Sequence, residues 1–404
     1  MSEHRIARIK TTKVAFDVTP TTLEAHLVSP LSAVSQKPAQ PPGRTWFGDC
    51  AQVVVEIETD TGIVGVGTAG GFSAVPATVI DTHLAPMMIG MDPFNVESNW
   101  NIMYRSTARL GASGATMAGI SGIDIACYDI VGKALGVPVH DLLGGVTSDQ
   151  IPVYASRLYA LDDLDQLADE AREWRNAGFR TVKQRFGYSA ADGIEGMRKN
   201  VELVRVVREA VGDDVEVAVD AYMGWDLEYT LAMIRRLADF EIKWLEDPLL
   251  PHDIDGYTRL CRESPIPISH GEHQHSRYGF SRIIESGAAH ILQPDVNRVG
   301  GITEARKIFA LAAAHDMPVV PHSNEMHNLH LVASQVNAPF AEYFPNVEPD
   351  TGNELFWKIF DGSPVVENGF ISMPMTAGLG ITLNHAKVQE LTLGSREHGA
   401  EKVA

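Results

Sequence analysis

Glu216-Val217-Ala218-Val219-Asp220, Ile242-Lys243-Trp244-Leu245-Glu246 and Ile268-Ser269-His270-Gly271-Glu272 are three short, mostly apolar runs, and each finishes on a carboxylate. Between the first two, Leu227 to Asp239 has the apolar spacing of an amphipathic helix. A short apolar strand, a helix and another such strand make a βα unit, and its repetition builds a parallel sheet. The same texture extends outward in both directions. Upstream, Val153-Tyr154-Ala155 precedes the helical pattern Leu164 to Ala177, and Thr181-Val182-Lys183 precedes Gly193 to Val211. Downstream come His290-Ile291-Leu292-Gln293 and Pro318-Val319-Val320. About eight strands over roughly 200 residues suit a (β/α)₈-type barrel better than an open, doubly wound sheet.

Ahead of this region the chain reads differently. β-structure is expected from Arg5 to Asp17 and from Gln52 to Gly67, with a turn at Asp60-Thr61-Gly62. Helical patterns follow at Ala77 to Met88, Val96 to Arg109 and Ala115 to Leu135, the last closed by Gly136 and Pro138. Strands first and helices afterwards signify an α+β unit, expected over residues 1–125, with the barrel over 126–355. Residues 356–404 are expected to return to the first unit and to fray beyond Glu390. Residues 24–49 carry Pro30, Pro38, Pro41, Pro42 and Gly43 and are too long for a plain connection, so a functional loop is expected there.

Composition narrows the partners. The 404 residues carry 33 Lys and Arg against 52 Asp and Glu, a formal net charge of −19. That average field repels nucleic acid and anionic membrane while leaving room for a local cationic pocket. Three cysteines, Cys50, Cys127 and Cys261, without C-x-x-C spacing, fit a reducing compartment. The N-terminal residues lack the apolar run of a secretory signal, and a cytoplasmic enzyme is expected.

Barrel enzymes carry their chemistry at the C-terminal ends of the strands. Here those ends read Lys183 and Arg185, Asp220, Glu246, Glu272, Asp295, His322 and Glu342. From Asp220 onward the intervals are 26, 26, 23, 27 and 20 residues, close to one βα unit each, so the side chains should stand around one ring. Asp220, Glu246 and Glu272, from adjacent strands, repel one another unless a cation offsets them, and an oxygen-only set suits Mg²⁺.

The segments VDAYMGWD (219–226), IKWLEDPL (242–249), ISHGEHQHSRYGF (268–280), ILQPDVNRVGGITE (291–304) and VVPHSNEMH (319–327) resemble the enolase superfamily. Within it they are most similar to the mandelate-racemase-like subgroup and its acid-sugar dehydratases of the L-rhamnonate dehydratase type. The similarity runs from about His26 to Asn384. The resemblance implies a modified (β/α)₇β TIM-type barrel under an N-terminal α+β capping domain, Mg²⁺ on Asp220, Glu246 and Glu272, and a His322–Asp295 acid/base dyad. It implies that Glu342 faces the substrate carboxylate and that His26, Arg44, Trp46, Tyr222 and His273 surround a sugar acid. A homo-oligomer, from dimer to octamer, is also expected. The implied reaction removes the proton next to the carboxylate and eliminates the 3-hydroxyl, giving a 2-keto-3-deoxy acid. L-Rhamnonate, L-lyxonate and L-mannonate are the favoured substrates.

Two positions depart from the subgroup pattern. Its second strand ends in Lys-x-Lys, whereas Lys183-Gln184-Arg185 stands here, and arginine is a poor base. Tyr222 replaces the Asn often found two residues after the first ligand. The first weakens a two-base racemase reading and the second is closer to the rhamnonate type, although a racemase, epimerase or cycloisomerase on the same scaffold, or a catalytically silent metal-binding homologue, remains an alternative. Gly65-Val66-Gly67-Thr68-Ala69-Gly70 spells a G-x-G-x-x-G, but no helix and second parallel strand follow at dinucleotide-site spacing. His270, His273 and His275 have no cysteine or fourth ligand nearby, so pocket lining is expected rather than zinc.

Overall fold

The computed structural model describes residues 3–16, 25–33, 50–70, 73–345, 355–363 and 365–399. Arg44 and Trp46 lie outside them. Ile6–Phe16, Cys50–Thr59 and Val64–Ala69 form an antiparallel sheet, paired in that order. Side chains alternate across a strand, and the alternation splits this sheet between two cores. Val53, Val55 and Ile57 pack with Ile120 and Ile123 of the helix Gly114–Leu135, whereas Val54 joins the barrel core. The G-x-G turns out to be a packing device. A Cβ on Gly65 would stand 2.3 Å from the Ala126 carbonyl oxygen, and one on Gly67 2.3 Å from that of Gly122. Only glycine lets strand and helix approach so closely.

The frayed tail expected beyond Glu390 is corrected. Thr392–Gly399 is a strand that pairs antiparallel with Ile6–Phe16 and extends the capping sheet. Much of it is exposed, so apolar patterning carried no signal. It forms by covering the free backbone edge of the N-terminal strand, with Arg8 reaching Glu397 at 2.9 Å. The helix Gly114–Leu135 likewise runs through the expected boundary at residue 125.

The barrel strands are Ile151–Leu158, Thr181–Arg185, Glu216–Asp220, Ile242–Glu246, Ile268–His270 and Ile291–Leu292, each hydrogen-bonded to the next in parallel. Val319 continues the ring by bridging Leu292, and the eighth strand, Ala341–Tyr343, closes it by pairing in parallel with the first. Each of the seven connections between successive strands is helical, from Leu164–Asn176 to Met326–Ser334. This is a (β/α)₇β barrel with an α+β cap, as the motifs imply. Tyr154, Ala218, Trp244 and Val320 fill its axis with a small apolar plug. Asp220 and Glu246 end their strands above that plug, and Lys183 lies two residues before the end of its own.

The cap is bonded to the barrel's C-terminal face. Thr68 donates to Asn297 at 2.6 Å, Gly70 N–H to the Asn297 carbonyl at 3.1 Å, and Trp100 to the Gly300 carbonyl at 2.8 Å. The start of the N-terminal loop is fastened there too, since His26 pairs with Ala160 and Val28 N–H donates to the Phe186 carbonyl. No helix among the described residues is long and apolar enough to cross a membrane.

Candidate active site

The eight strand-end residues do converge on the mouth of the barrel, but they sort into two halves. One half centres on Lys183, which is 1% exposed. Its Nζ contacts Glu246 Oε1, lies 2.8 Å from Glu342 Oε1 and 3.7 Å from Asp220 Oδ2. Burial opposes its charge, yet Glu246, Glu342 and Asp220 together hold it above the ordinary lysine value. Arg185 completes this half by donating to Asp220 Oδ2 at 2.6 Å and to Ser156 Oγ at 3.2 Å. The remaining Glu246 oxygen accepts from Trp244 Nε1 at 3.0 Å and from Gln293 Nε2 at 2.9 Å. Both of these cationic side chains are thus fixed counter-charges.

The other half centres on His322. Its Nδ1 is 2.9 Å from Asp295 Oδ2, and its Nε2 is 3.4 Å from Glu272 Oε2. Asp295 is held in turn by the Asn297 N–H at 2.8 Å and by Arg298 Nε at 3.0 Å. Burial works against a charged imidazole, but Glu272, Asp295 and Glu342 outweigh it and bring His322 up to about 9. Glu342 joins the halves, with one oxygen near Lys183 and the other accepting the Ser323 N–H at 2.7 Å. Burial opposes its charge too, yet Lys183 and His322 draw it down to about 2.

Local backbone geometry sets these directions. Tyr222, Asp247 and Ser323, one or two residues beyond Asp220, Glu246 and His322, have φ of 37°, 40° and 75°. Left-handed non-glycine residues cost about 1–3 kcal/mol each and persist where surrounding structure holds them. Gly271, at φ 138°, turns the fifth strand so that Glu272 follows the apolar run by two residues.

Asp220, Glu246 and Glu272 lie on three consecutive strands or the turns that follow them, but Glu272 is turned toward the histidine half, 2.8 Å from His273 Nε2 and 3.3 Å from Arg298. Among the described residues, the acidic group whose ligand atoms all fall within 4.8 Å of one another is Asp247, Glu272 and His273. Asp247 is 4% exposed, and its Oδ2 has no hydrogen-bond partner among the described residues. Burial and then the charges of Glu272, Glu246 and Asp220 push it well above the ordinary carboxyl value. A cluster of buried carboxylate oxygens, one of them without a partner, fits a hard divalent cation.

Other sequence expectations resolve simply. Tyr222 is at the mouth with its ring 5.9 Å from that of His273. His270 stacks on Tyr257 at 3.8 Å, approaches the Ala288 carbonyl at 3.1 Å and is lowered to about 4 by burial, so it is a core residue. His327 and His330 are buried as well, the latter within 3.1 Å of His140. Asp247, Arg298, Gln293 and Trp244 escaped the sequence reading. Asp247 and Arg298 sit one and three residues from strand-end acids, a proximity that was open to notice. The inward orientation of Gln293 and Trp244 was not.

The mouth of the capped barrel brings a histidine–carboxylate pair and a lysine–carboxylate cluster together, with Glu342 between them. The chain belongs to the enolase superfamily: residues 166–387 match its C-terminal-domain-like family, and residues 31–144 match the mandelate racemase/muconate lactonizing enzyme N-terminal domain. An L-rhamnonate dehydratase of Saccharopolyspora erythraea is 36% identical, over 90% of each chain. A D-galactarolactone cycloisomerase of Agrobacterium fabrum is 32% identical over 92% of this chain and 97% of its own. The crystal structure of L-rhamnonate dehydratase from Gibberella zeae superposes with a TM-score of 0.84 at 32% identity, over 97% of both chains, and that enzyme has also been crystallised with Mg.

Proposed function

We propose that this chain is a Mg²⁺-dependent hydro-lyase that dehydrates a sugar acid to a 2-keto-3-deoxy acid, with L-rhamnonate-type substrates favoured. The observation that carries the reading is the His322–Asp295 contact at 2.9 Å, three strands around the ring from a lysine held as a cation. One face of the substrate then meets an imidazole able to move a proton, and the other meets fixed positive charge.

The residues divide the work as follows. Asp220, Glu246 and Glu272 would hold the cation, which when bound supplies electrostatic stabilisation of the enediolate charge. Glu272, Asp295 and Glu342 raise His322 against the effect of burial, so the carboxylates around the imidazole set its affinity for a proton. His322 takes the proton from carbon 2, Asp295 fixing its tautomer and stabilising the imidazolium. The same imidazolium returns that proton to the departing 3-hydroxyl, which leaves as water, and the enol becomes the 2-keto acid. Lys183 and Arg185 orient the carboxylate end and offset its growing charge. Glu342, held as a carboxylate beside Lys183, would face that end of the substrate. His26, Arg44 and Trp46 would close over the distal hydroxyls, and Tyr222 and His273 would line the substrate.

A second reading is favoured by similarity to cycloisomerases, the Agrobacterium enzyme above and the 3,6-anhydro-D-galactonate enzyme of Zobellia galactanivorans at 28% identity. Ring opening of a lactone or anhydro sugar also begins with a proton removed beside a carbonyl, so the same dyad would serve. A panel of sugar acids and lactones with Mg²⁺, read for 2-keto acid, separates the two. His322→Asn should lower turnover by at least ~10²–10⁴-fold, as loss of a general base does, and abolish carbon-2 deuterium exchange with it. Exchange at the wild-type rate in that variant would assign the base elsewhere.

A further inference from the structure

We infer that Asp247 is a fourth acidic group of the cation site, facing the cation from the Glu272 and His273 side. The inference rests on the Mg²⁺ reading above and concerns a residue that the ring of strand ends leaves out. Three independent features carry it. The carboxylate is buried, at 4% exposure, yet Oδ2 has no hydrogen-bond partner among the described residues. A buried carboxylate oxygen without donor or counter-ion is costly, and such groups are ordinarily paired or coordinate metal. Its ligand atom, one from Glu272 and one from His273 lie within 4.8 Å of one another, a separation that a single bound ion can span. The backbone that aims it is specified: Asp247 has φ 40°, its N–H donates to the Ser269 carbonyl at 3.0 Å, its carbonyl accepts from Met223 N–H, and Pro248 follows. An unfavourable φ locked on both sides fits a side chain presented to something.

The cations around the mouth are already committed. Lys183 is shared by Glu246, Glu342 and Asp220, Arg185 is on Asp220, and Arg298 is on Asp295 and Glu272. Asp247 therefore lacks an ion-pair partner of its own in the described mouth, and a divalent cation beside Glu272 supplies the missing charge, either directly or through a bound water.

The test compares the whole protein with Asp247→Asn, which keeps shape and removes charge. Mg²⁺ binding is measured by calorimetry, and Mn²⁺ binding by electron paramagnetic resonance. Thermal unfolding is followed after chelation. The variant should bind either ion at least tenfold more weakly, and its metal-free form should melt a few degrees above metal-free wild type. Asp247→Ser, which shortens the side chain and removes the charge, should reproduce the weaker binding. Equal affinity in wild type and both variants would overturn the inference while leaving the Mg²⁺ reading intact. Wild type that takes up neither ion would overturn both.

Discussion

Lys183→Met is the substitution that separates a fixed cation from a neutral second base. The lysine is 1% exposed and contacts Glu246, with Glu342 at 2.8 Å and Asp220 at 3.7 Å. Methionine is a long unbranched side chain without the charge, and it leaves Glu246 and Glu342 buried with less to offset them. Removing one partner of a buried ion pair costs about 3–5 kcal/mol, because the other charge is left uncompensated. For 404 residues the entropy of unfolding near 60 °C is about 0.85 kcal/mol/K, so metal-free Lys183→Met should melt about 4–6 °C below wild type. The loss should be larger at pH 8 than at pH 6. Without Lys183, burial and the neighbouring acids act on Glu246 unopposed, and a proton taken up at the lower pH relieves part of the repulsion. The assay is calorimetry on chelated protein at both pH values, alongside the stereochemical course of any residual turnover. A metal-free variant as stable as wild type at pH 8 would refute the reasoning, since it would mean that the lysine carries no charge in the native site. An altered stereochemical course would point the same way.

Three further outcomes can be checked separately. Asp124, buried in the capping helix and accepting the Thr303 N–H at 2.9 Å, is pushed up to about 7 by burial, so the stability it lends is full below about 4 and lost as pH rises through 7. Asp124→Asn does not titrate, and its advantage over wild type in melting experiments should grow from pH 5 to pH 8, up to ~4 kcal/mol. His327 is lowered by burial to about 4, so its contribution is present above about 6.5 and lost as pH falls through 4; His327→Leu should flatten the acid limb of unfolding by up to ~3 kcal/mol. Arg44→Ala should raise KM and reorder preference among sugar acids while affecting carbon-2 exchange of a good binder less, and an unchanged substrate profile would remove Arg44 from the proposed substrate contacts.

The period of the chain was enough to reach the barrel. Strands ending near Lys183, Asp220, Glu246, Glu272, Asp295, His322 and Glu342 recur at one βα unit, and a closed parallel sheet turns equal spacing in sequence into one ring in space. The cap was legible for a similar reason, because the apolar stripes of Cys50–Thr59 and Gly114–Leu135 are local properties. What the tertiary structure alone decided is how charge is shared. Lys183 lies between three acids 37 to 159 residues away in the chain, Arg298 links Asp295 to Glu272, and Asp247 faces His273 across two strand ends. Such pairings depend on side-chain direction and on burial, neither of which leaves a period in the sequence. The same holds for the C-terminal strand Thr392–Gly399, which exists because a backbone edge 380 or so residues earlier offers hydrogen bonds and not because its own side chains demand a sheet. Local pattern specifies where a strand ends. Only the folded chain specifies which charges then meet, because Coulomb energy in a buried site is set by distances of a few ångströms between groups far apart in sequence.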